Sequence, residues 1–318
     1  MDRKVIPIAF CFDQNLELPA GVCITSLLAN AKPNTFYDIF ILHSDKSSFE
    51  GSKINELPFV YGNCNISYRC VGKTFESAFE IKGEIRNITV ATYYRFLIPR
   101  VIPEYDKVIY SDVDVIFRDD LSEIYQNTTL EGYYVAGVVS ASFFDSNVLE
   151  YISKLGLDWH SYIYAGNMIM NSKLLREEFI VDQWIEEANN SSYVYQDMDI
   201  INLICKDKIK RLPPVFCFTI EMNQTLIYEV EQNLYTKEEL VEAAKKGIIH
   251  YNGAKPWNQY CPNFDFWWEY YRKSIFFDPK YYYDFFYAKL NDYDSLPLSK
   301  RVKILIRYFK NGRWHLPQ

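Results

Sequence analysis

Two aspartates separated by one residue, Asp112-Val113-Asp114, follow a short apolar run. That run, residues 107–110, predicts a buried strand. Carboxylates at i and i+2 just past a strand end can converge on one divalent cation, and oxygen ligands of this kind suit Mn²⁺ or Mg²⁺. The same pattern also occurs in solvated acidic turns. Its position at the end of a strand is what favours a metal site here.

A second group of reactive side chains lies late in the chain. His250 ends the apolar run 248–250 and opens a loop that contains Gly253 and Lys255. A histidine ligand, a glycine that allows close approach and a nearby lysine are typical of a loop folded over a metal-bound phosphate. The alternative is a half-buried histidine in an ordinary turn. The glycine-rich phosphate motifs G-x-G-x-x-G and G-x-x-x-x-G-K-[ST] do not occur, so a cation and Lys255 would have to neutralise such a phosphate.

Alternating strand and helix patterns must position these side chains. Apolar runs predict strands at residues 5–11, 36–43, 65–71, 107–110, 115–117, 133–139, 165–171 and 248–250. Helical spacing occurs at residues 21–31, 91–97, 147–154, 173–187, 197–206 and 237–246. This alternation predicts an α/β fold with a doubly wound, mostly parallel sheet, in which ligands bind beyond the carboxyl ends of the strands. We see no repeat or flexible linker, and expect one domain at residues 1–260 with a C-terminal helical extension at 261–318.

Composition excludes several other classes of protein. Hydrophobic residues make up 49% and charged residues 24%, which is enough for a sizeable core and excludes a disordered chain. The net charge of −7 argues against a nucleic-acid partner. Seven scattered cysteines without a C-x-x-C pair indicate a reduced compartment. No apolar run is long enough to span a bilayer, and the run after Met1 is too short for a secretory signal, so we expect a cytoplasmic protein.

Five segments carry a resemblance to a known family. They are residues 8–15, 92–96, 108–114, 195–199 and 250–257. Together and in this order they resemble glycosyltransferase family 8, whose bacterial members include lipopolysaccharide galactosyl- and glucosyltransferases. The resemblance implies a GT-A fold, a UDP-sugar donor, Mn²⁺ (or Mg²⁺) as cofactor and retention of anomeric configuration. It further implies transfer of glucose or galactose from UDP-glucose or UDP-galactose to a saccharide or lipid-linked acceptor.

The same resemblance assigns nucleotide contacts to residues in the first half of the chain. Asp13 resembles the carboxylate that pairs with uracil, and Asn15 resembles the side chain near the ribose. Ile88 matches a residue of the uracil pocket. Val113, between the two aspartates of the D-x-D, is expected to contact the nucleotide.

Metal and phosphate roles follow from the resemblance in the same way. Asp112, Asp114 and His250 resemble the protein ligands of the cation, and Asp112 also resembles the residue that touches the ribose. Gly253 and Lys255 match the pair that faces the β-phosphate, in a loop one residue shorter than in some members.

Catalytic roles are implied for Arg95, Asp197 and Lys255. Arg95 matches the guanidinium near the donor sugar, and Asp197 matches the acid that grips the sugar hydroxyls. The chain departs from several members at Tyr164, where they carry Asn, and at Met198, where they carry Gln. A thioether carries no charge and accepts hydrogen bonds poorly. We therefore expect a front-face displacement, with Asp197 as nucleophile in a double displacement as the alternative.

Two other classes of function remain open at this point. The run through Asp112 and Asp114 also resembles the haloacid-dehalogenase phosphatase motif, in which the first Asp attacks phosphorus, although that family carries the motif on its first strand. A relative that binds a sugar nucleotide without turnover is the other alternative, because of Tyr164 and Met198.

The C-terminal segment from Leu298 to Arg313 predicts a peripheral membrane contact. Leu298, Val302, Leu305 and Phe309 fall on one helical stripe, and residues 298–318 carry six basic and no acidic side chains. Such a helix can lie among anionic headgroups at a membrane surface. The family resemblance implies lipid-linked acceptors at the cytoplasmic face, which would place the protein on the inner face of the plasma membrane. The alternative is a final helix docked on its own domain.

Overall fold

The computed structural model describes residues 3–44, 47–75, 77–78, 80, 89–142 and 145–307. Within these residues nine strands form two sheets. Their bounds are β1 Lys4–Cys11, β2 Thr35–His43, β3 Cys64–Cys70, β4 Val108–Ser111, β5 Val115–Phe117, β6 Val135–Val139, β7 Ile163–Met170, β8 Ile209–Arg211 and β9 Ile248–His250.

The main sheet has the order β3-β2-β1-β4-β7-β6-β8. Strands β3, β2, β1 and β4 are mutually parallel, β7 is antiparallel to both of its neighbours, and β8 is parallel to β6. The predicted α/β class with a mostly parallel sheet is confirmed, and one antiparallel strand lies inside it. Strands β4, β6 and β7 are buried along their whole lengths, since helices cover both faces.

The helices cover the faces of this sheet. In chain order they are α1 Glu17–Ala29, α2 Leu57–Tyr61, α3 Ile98–Val101, α4 Ser122–Asn127, α5 Ser146–Lys154, α6 Ser172–Glu177, α7 Ile180–Asn190, α8 Gln196–Ile204, α9 Ile220–Tyr228, α10 Lys237–Lys245, α11 Phe264–Lys273, α12 Pro279–Asp294 and α13 Leu298–Arg307. The helical spacing predicted at 91–97 is a 3-10 helix, Val90–Leu97, and the predicted run 173–187 is divided into α6 and α7. The sequence patterns did not predict strand β8 or the helices α2, α3, α4 and α9.

A small second sheet positions the late histidine. Strands β5 and β9 pair antiparallel, with Val115 opposite His250. Because Val115 directly follows Asp114, this register brings His250 beside the D-x-D from more than a hundred residues away.

The first part of the C-terminal extension packs on the body of the protein. Trp267, Trp268 and Tyr271 of α11 are buried, and Phe276 lies against α1 at Gly21. A Cβ at Gly21 would stand 2.3 Å from the Phe276 ring, so only glycine allows this approach. No helix in the described part of the chain combines the length and apolar character needed to cross a bilayer.

Candidate active site

Three side chains that the sequence predicts as metal ligands converge at the carboxyl end of β4. One ligand atom from each of Asp112, Asp114 and His250 lies within 4.8 Å of the others. His250 Nε2 is 3.3 Å from Asp114 Oδ1 and 3.7 Å from Asp112 Oδ2. Two carboxylates and one imidazole at this spacing can hold a single divalent cation.

Backbone contacts fix the turn that carries the two aspartates. The Asp112 amide donates to the Gly166 carbonyl of β7 at 2.7 Å, and the Asp114 carbonyl accepts from the Tyr251 amide at 3.0 Å. Val113, between the aspartates, is buried in the core. The turn is therefore held from both sides, and its two carboxylates face the same space.

The donor set fits a divalent cation. Asp114 Oδ1 is buried and accepts no hydrogen bond from the described residues, while Lys255 Nζ donates to the other oxygen, Oδ2. A Cβ at Gly166 would lie 2.4 Å from His250 Cε1 and 2.7 Å from Asp112 Oδ2. The backbone of β7 therefore lies close to these two side chains, and only the absence of a side chain at Gly166 leaves space between them. An unpaired carboxylate oxygen beside an imidazole nitrogen offers two ligand atoms that would hold a divalent cation.

The charges of the site are strongly coupled. Burial raises the pKa of the Asp114 carboxyl, but Lys255 and His250 outweigh it and hold that pKa well below its usual range. Burial lowers the pKa of His250, and the Asp114 carboxylate more than reverses this, so that the pKa lies well above its ordinary value. A cation bound at Nε2 would displace the proton that Asp114 stabilises there.

Cys217 lies behind His250 and was not predicted to have a role. Its Sγ is 3.5 Å from His250 Nδ1, and Asn167 Nδ2 donates to the same sulfur at 3.6 Å. Asn167 is held in turn by the Ser111 hydroxyl at 2.8 Å. When Nδ1 carries the proton and points at the sulfur, the Nε2 lone pair faces the two aspartates. A lone cysteine outside any motif gives no sequence signal for this contact.

Arg95 joins Asp112, one of the three converging side chains, to Asp197. Its Nη2 is 3.0 Å from Asp112 Oδ1, and its Nη1 is 2.9 Å from Asp197 Oδ2. The guanidinium also donates to the Ala165 carbonyl, the Thr92 carbonyl and the Thr92 hydroxyl, and it lies over the Tyr110 ring. Arg95 was predicted to lie near a donor sugar; in the structure its guanidinium orients two carboxylates that line the same cavity.

The two aspartates at the start of α8 have different surroundings. Asp197 faces the cavity and accepts a hydrogen bond from the Thr92 hydroxyl at 2.6 Å. Burial raises the pKa of Asp197, and the charge of Arg95 opposes this shift.

Asp199 is fully buried and accepts hydrogen bonds from the Tyr151 and Tyr162 hydroxyls and the Tyr195 amide. Asp199 therefore holds the helix start in place, and Asp197 is available to a ligand.

These groups line a cavity of about 510 Å³. The predicted residues in its lining are Arg95, Asp112, Asp114, Asp197 and His250. Tyr164, Met198 and Glu221 also line it, and Glu221 was not singled out in the sequence.

The other predicted residues lie outside this lining. Asp13 follows β1, which neighbours β4, and its carboxylate accepts from the Asn15 amide at 2.8 Å. Gly253 and Lys255 are in the loop after β9. Ile88 lies outside the described residues.

Comparison with known proteins agrees with this fold. Residues 7–261 match the profile of glycosyl transferase family 8, so the chain belongs to that family. A putative glycosyltransferase of Haemophilus influenzae is 30% identical over 265 residues, which cover 81% of this chain and 74% of that protein. The lipopolysaccharide 1,2-glucosyltransferase of Escherichia coli is 23% identical over 312 residues, covering 95% of this chain and 83% of that protein. The glycosyltransferase GlyB of Streptococcus pneumoniae is 28% identical over 189 residues, and the match spans 58% of this chain and 43% of that protein.

Solved structures show the same architecture. The galactosyltransferase LgtC, in complex with donor and acceptor sugar analogues, superposes with a TM-score of 0.69 at 23% identity, over 87% of this chain and 99% of that one. The bifunctional glycosyltransferase WbbM gives a TM-score of 0.71 at 23% identity, over 86% of this chain and 50% of that one. The fold is therefore GT-A, as the resemblance implied, and the haloacid-dehalogenase alternative does not agree with it.

Proposed function

We propose that this protein is a retaining hexosyltransferase that moves glucose or galactose from a UDP-sugar to a saccharide or lipid-linked acceptor. The observation that carries this proposal is the convergence of Asp112, Asp114 and His250 at one edge of a cavity whose other charged groups include Arg95 and Asp197. In this proposal the three converging residues hold Mn²⁺, or Mg²⁺. The family, the GT-A fold and the chemistry of the donor set support it.

The nucleotide is proposed to lie along the carboxyl ends of β1 and β4. Asp13 and Asn15 follow β1 and would contact the uracil and the ribose, together with Val113 and Ile88. Gly253 and Lys255, in the loop after His250, would face the β-phosphate. Lys255 contacts Asp114 in the structure, and its flexible stem allows the ammonium to move to a phosphate oxygen close by.

The residues around the cavity suggest how the reaction proceeds. A bound cation would supply positive charge to the departing diphosphate. Lys255 would add a second positive charge at the same leaving group, which is the kind of preorganised stabilisation that contributes most to such reactions. Asp197, fixed by Arg95 and Thr92, would hold the hexose and favour positive charge on its ring.

We favour a front-face displacement. Met198 has no charge to stabilise a covalent or ionic intermediate, and both oxygens of Asp197 already have partners in Arg95 and Thr92. The bond between C1 and the phosphate oxygen breaks while the bond from the acceptor oxygen to C1 forms on the same face. The acceptor proton passes to the departing phosphate oxygen.

The proposed setting is the cytoplasmic face of the plasma membrane, with the C-terminal segment on the lipid surface. The Escherichia coli relative is named as a lipopolysaccharide glucosyltransferase, and a lipid-linked acceptor of that chemical type would be presented at such a surface.

Release of UDP tests the proposed function directly. Purified protein is incubated with UDP-glucose, UDP-galactose or UDP-N-acetylglucosamine, with and without Mn²⁺, and free UDP is measured. We expect Mn²⁺-dependent release from a UDP-hexose. Metal-dependent UDP binding without release from any donor would favour the non-catalytic alternative.

Two variants test the roles of the acids. Asp114→Ala should abolish Mn²⁺-dependent UDP binding with the fold retained, because the residue lies at a strand end. Asp197→Asn should keep UDP affinity near the wild-type value and lower turnover strongly, on the order of 100-fold, since its contact is to the hexose. Glu123→Gln, on the exposed surface of α4, is the matched control. Unchanged UDP affinity and metal dependence in Asp114→Ala would contradict the metal assignment.

A further inference from the structure

Glu221 places an additional carboxylate in the cavity. It lies in the first turn of α9, and the segment before that helix runs beside the strand that ends at His250. The Phe218 amide donates to the Ile248 carbonyl at 2.8 Å, and the His250 amide donates to the Phe218 carbonyl at 2.9 Å. The backbone that positions the histidine therefore also positions Glu221.

Neutral groups hold the Glu221 side chain. Asn252 Nδ2 lies 3.0 Å from Oε1 and 2.9 Å from Oε2, and the Tyr164 hydroxyl lies 3.3 Å from Oε2. Within the described part of the chain, no lysine, arginine or histidine nitrogen is within 4.0 Å of this carboxylate. Its negative charge is thus oriented by hydrogen bonds and is not neutralised by a cation of the protein.

Tyr164 is fixed so that its hydroxyl can donate to Glu221. The Ala141 amide donates to the phenol oxygen at 3.1 Å, and Thr219 Oγ1 lies 3.3 Å away. Burial raises the pKa of Tyr164 well above its ordinary value, so that the phenol keeps its proton. The Ala141 amide occupies one lone pair of the phenol oxygen, and the phenol proton points towards acceptors on the cavity wall.

Tyr164 and Glu221 lie at a distance from the proposed metal ligands that a donor sugar would span. Tyr164 and Gly166 are two residues apart on β7, so their side-chain directions share one face of the strand, about 7 Å apart. The direction of a Cβ at Gly166 leads to His250 and Asp112. A hexose attached to a diphosphate on those ligands would extend over this distance, towards Tyr164 and Glu221.

Among the carboxylates that line the cavity, Glu221 differs in being both half-buried and held by neutral hydrogen-bond donors. Asp112 and Asp114 belong to the metal-ligand group, and Asp197 is engaged by Arg95 and Thr92. Asp145 caps α5 and is exposed, where water competes for it. A carboxylate can accept about four hydrogen bonds. Asn252 contacts both oxygens of Glu221 and Tyr164 contacts one of them, which leaves capacity for a hydroxyl group of a ligand.

We infer that Glu221, oriented by Asn252 and Tyr164, accepts hydrogen bonds from hydroxyl groups of the transferred hexose and determines which hexose the enzyme selects. This inference rests on the proposed function. Glu221 is half-buried, and a bound donor would cover it further. An acceptor that is covered by the ligand but left unpaired by the wrong hexose disfavours that donor, and glucose and galactose differ only in the direction of one hydroxyl.

Donor hydrolysis without an acceptor tests the inference. We compare kcat/KM for UDP-glucose and UDP-galactose, with Mn²⁺, in the wild type, Glu221→Gln and Tyr164→Phe, with Glu186→Gln on the exposed face of α7 as control. Glu221→Gln should lower kcat/KM for the preferred donor on the order of 10- to 100-fold and reduce the ratio between the donors about tenfold or more, with UDP affinity unchanged. Tyr164→Phe should shift the ratio in the same direction by less.

The outcomes separate this inference from the proposed function. If the wild type hydrolyses a UDP-hexose and Glu221→Gln keeps its donor ratio and rate, the inference is overturned and the proposed function stands. If hydrolysis is unchanged and only transfer to a saccharide acceptor falls, Glu221 contacts the acceptor and the inference is equally overturned. If the wild type releases UDP from no donor, the proposed function fails and the inference falls with it.

Discussion

Gly166 determines how closely β7 approaches the proposed metal ligands Asp112 and His250. A Cβ at this position would contact His250 Cε1 at 2.4 Å and Asp112 Oδ2 at 2.7 Å. The D-x-D and His250 could be found in the sequence because acids and histidines carry recognisable chemistry. A glycine that lines their site on a distant strand gives no comparable signal.

Gly166→Ala should therefore lower Mn²⁺ affinity about tenfold or more, because the new methyl group displaces two of the three ligands. Electron paramagnetic resonance of free Mn²⁺ measures this directly. Gly137→Ala is the matched control: its Cβ would meet the Ile163 side chain at 2.6 Å, so it adds the same crowding in the sheet without touching the ligands. Equal Mn²⁺ affinity in the two variants would show that Gly166 does not shape the site.

Cys217 illustrates a second kind of contact that sequence patterns miss. Its sulfur lies 3.5 Å from His250 Nδ1, on the side of the ring away from the two aspartates, and orients the ring by this contact. Cys217→Ala should lower Mn²⁺ affinity about 10-fold, in the range found for such supporting contacts. The ¹⁵N chemical shifts of the His250 ring should show a changed mixture of tautomers. Cys205→Ala, at another fully buried cysteine, should change neither measurement; the same loss there would mean that packing, and not the histidine contact, is responsible.

At the scale of elements, local patterns predicted most strands and helices but not their pairing. The runs at 5–11, 36–43 and 248–250 correspond closely to β1, β2 and β9 because these strands are mostly apolar, with Asp38 the one acidic residue inside β2. Strand β8, with the sequence Ile-Lys-Arg at the edge of the sheet, is too short and too polar to be recognised. The pairing of β5 with β9 joins residues far apart in the chain, so only the folded structure explains why His250 meets Asp114.

The two aspartates at the start of α8 have different roles. Asp197 and Asp199 are two residues apart, about 200° around the helix, so only one of them can face the cavity. Asp199→Asn should lower the free energy of unfolding by about 2–4 kcal/mol, because its tyrosine hydroxyls and the Tyr195 amide lose a charged, buried acceptor. Urea denaturation measures this.

The matched control is Asp182→Asn on the neighbouring helix α7, where the carboxylate forms an exposed ion pair with Arg100. Exposed pairs contribute only about 0–1 kcal/mol, so its stability should change little. An equal loss in both variants would contradict the structural role given to Asp199.

At the scale of the whole molecule, the C-terminal extension has two parts with different surroundings. Helix α11 is part of the core, since Trp267, Trp268 and Tyr271 are each only 1% exposed. In α13, by contrast, Leu298 is 75%, Val302 44% and Leu305 46% exposed. The domain boundary at residue 260 remains a prediction, and the family profile ends beside it, at residue 261.

The exposure of α13 favours the membrane contact over docking on the protein's own domain. Three apolar side chains of the predicted stripe, at 298, 302 and 305, are all exposed, and Lys300 and Lys303 are exposed with them. Arg301 instead holds the joint between α12 and α13 through the Leu296 carbonyl and Asp294. The end of the predicted segment, residues 308–313 with Phe309, Lys310 and Arg313, lies outside the described residues.

The full chain should therefore sediment with anionic liposomes and be released by salt, while a chain ending at Leu296 should stay in solution. Each basic side chain near an anionic leaflet contributes about 1 kcal/mol, and the apolar stripe adds burial at the headgroup boundary. Neutral liposomes separate the two contributions, because only the apolar one acts there. Val302→Ser combined with Leu305→Ser keeps every charge and should weaken binding to both kinds of liposome. If the full and shortened chains sediment equally, α13 does not bind membranes, and its apolar stripe needs another explanation.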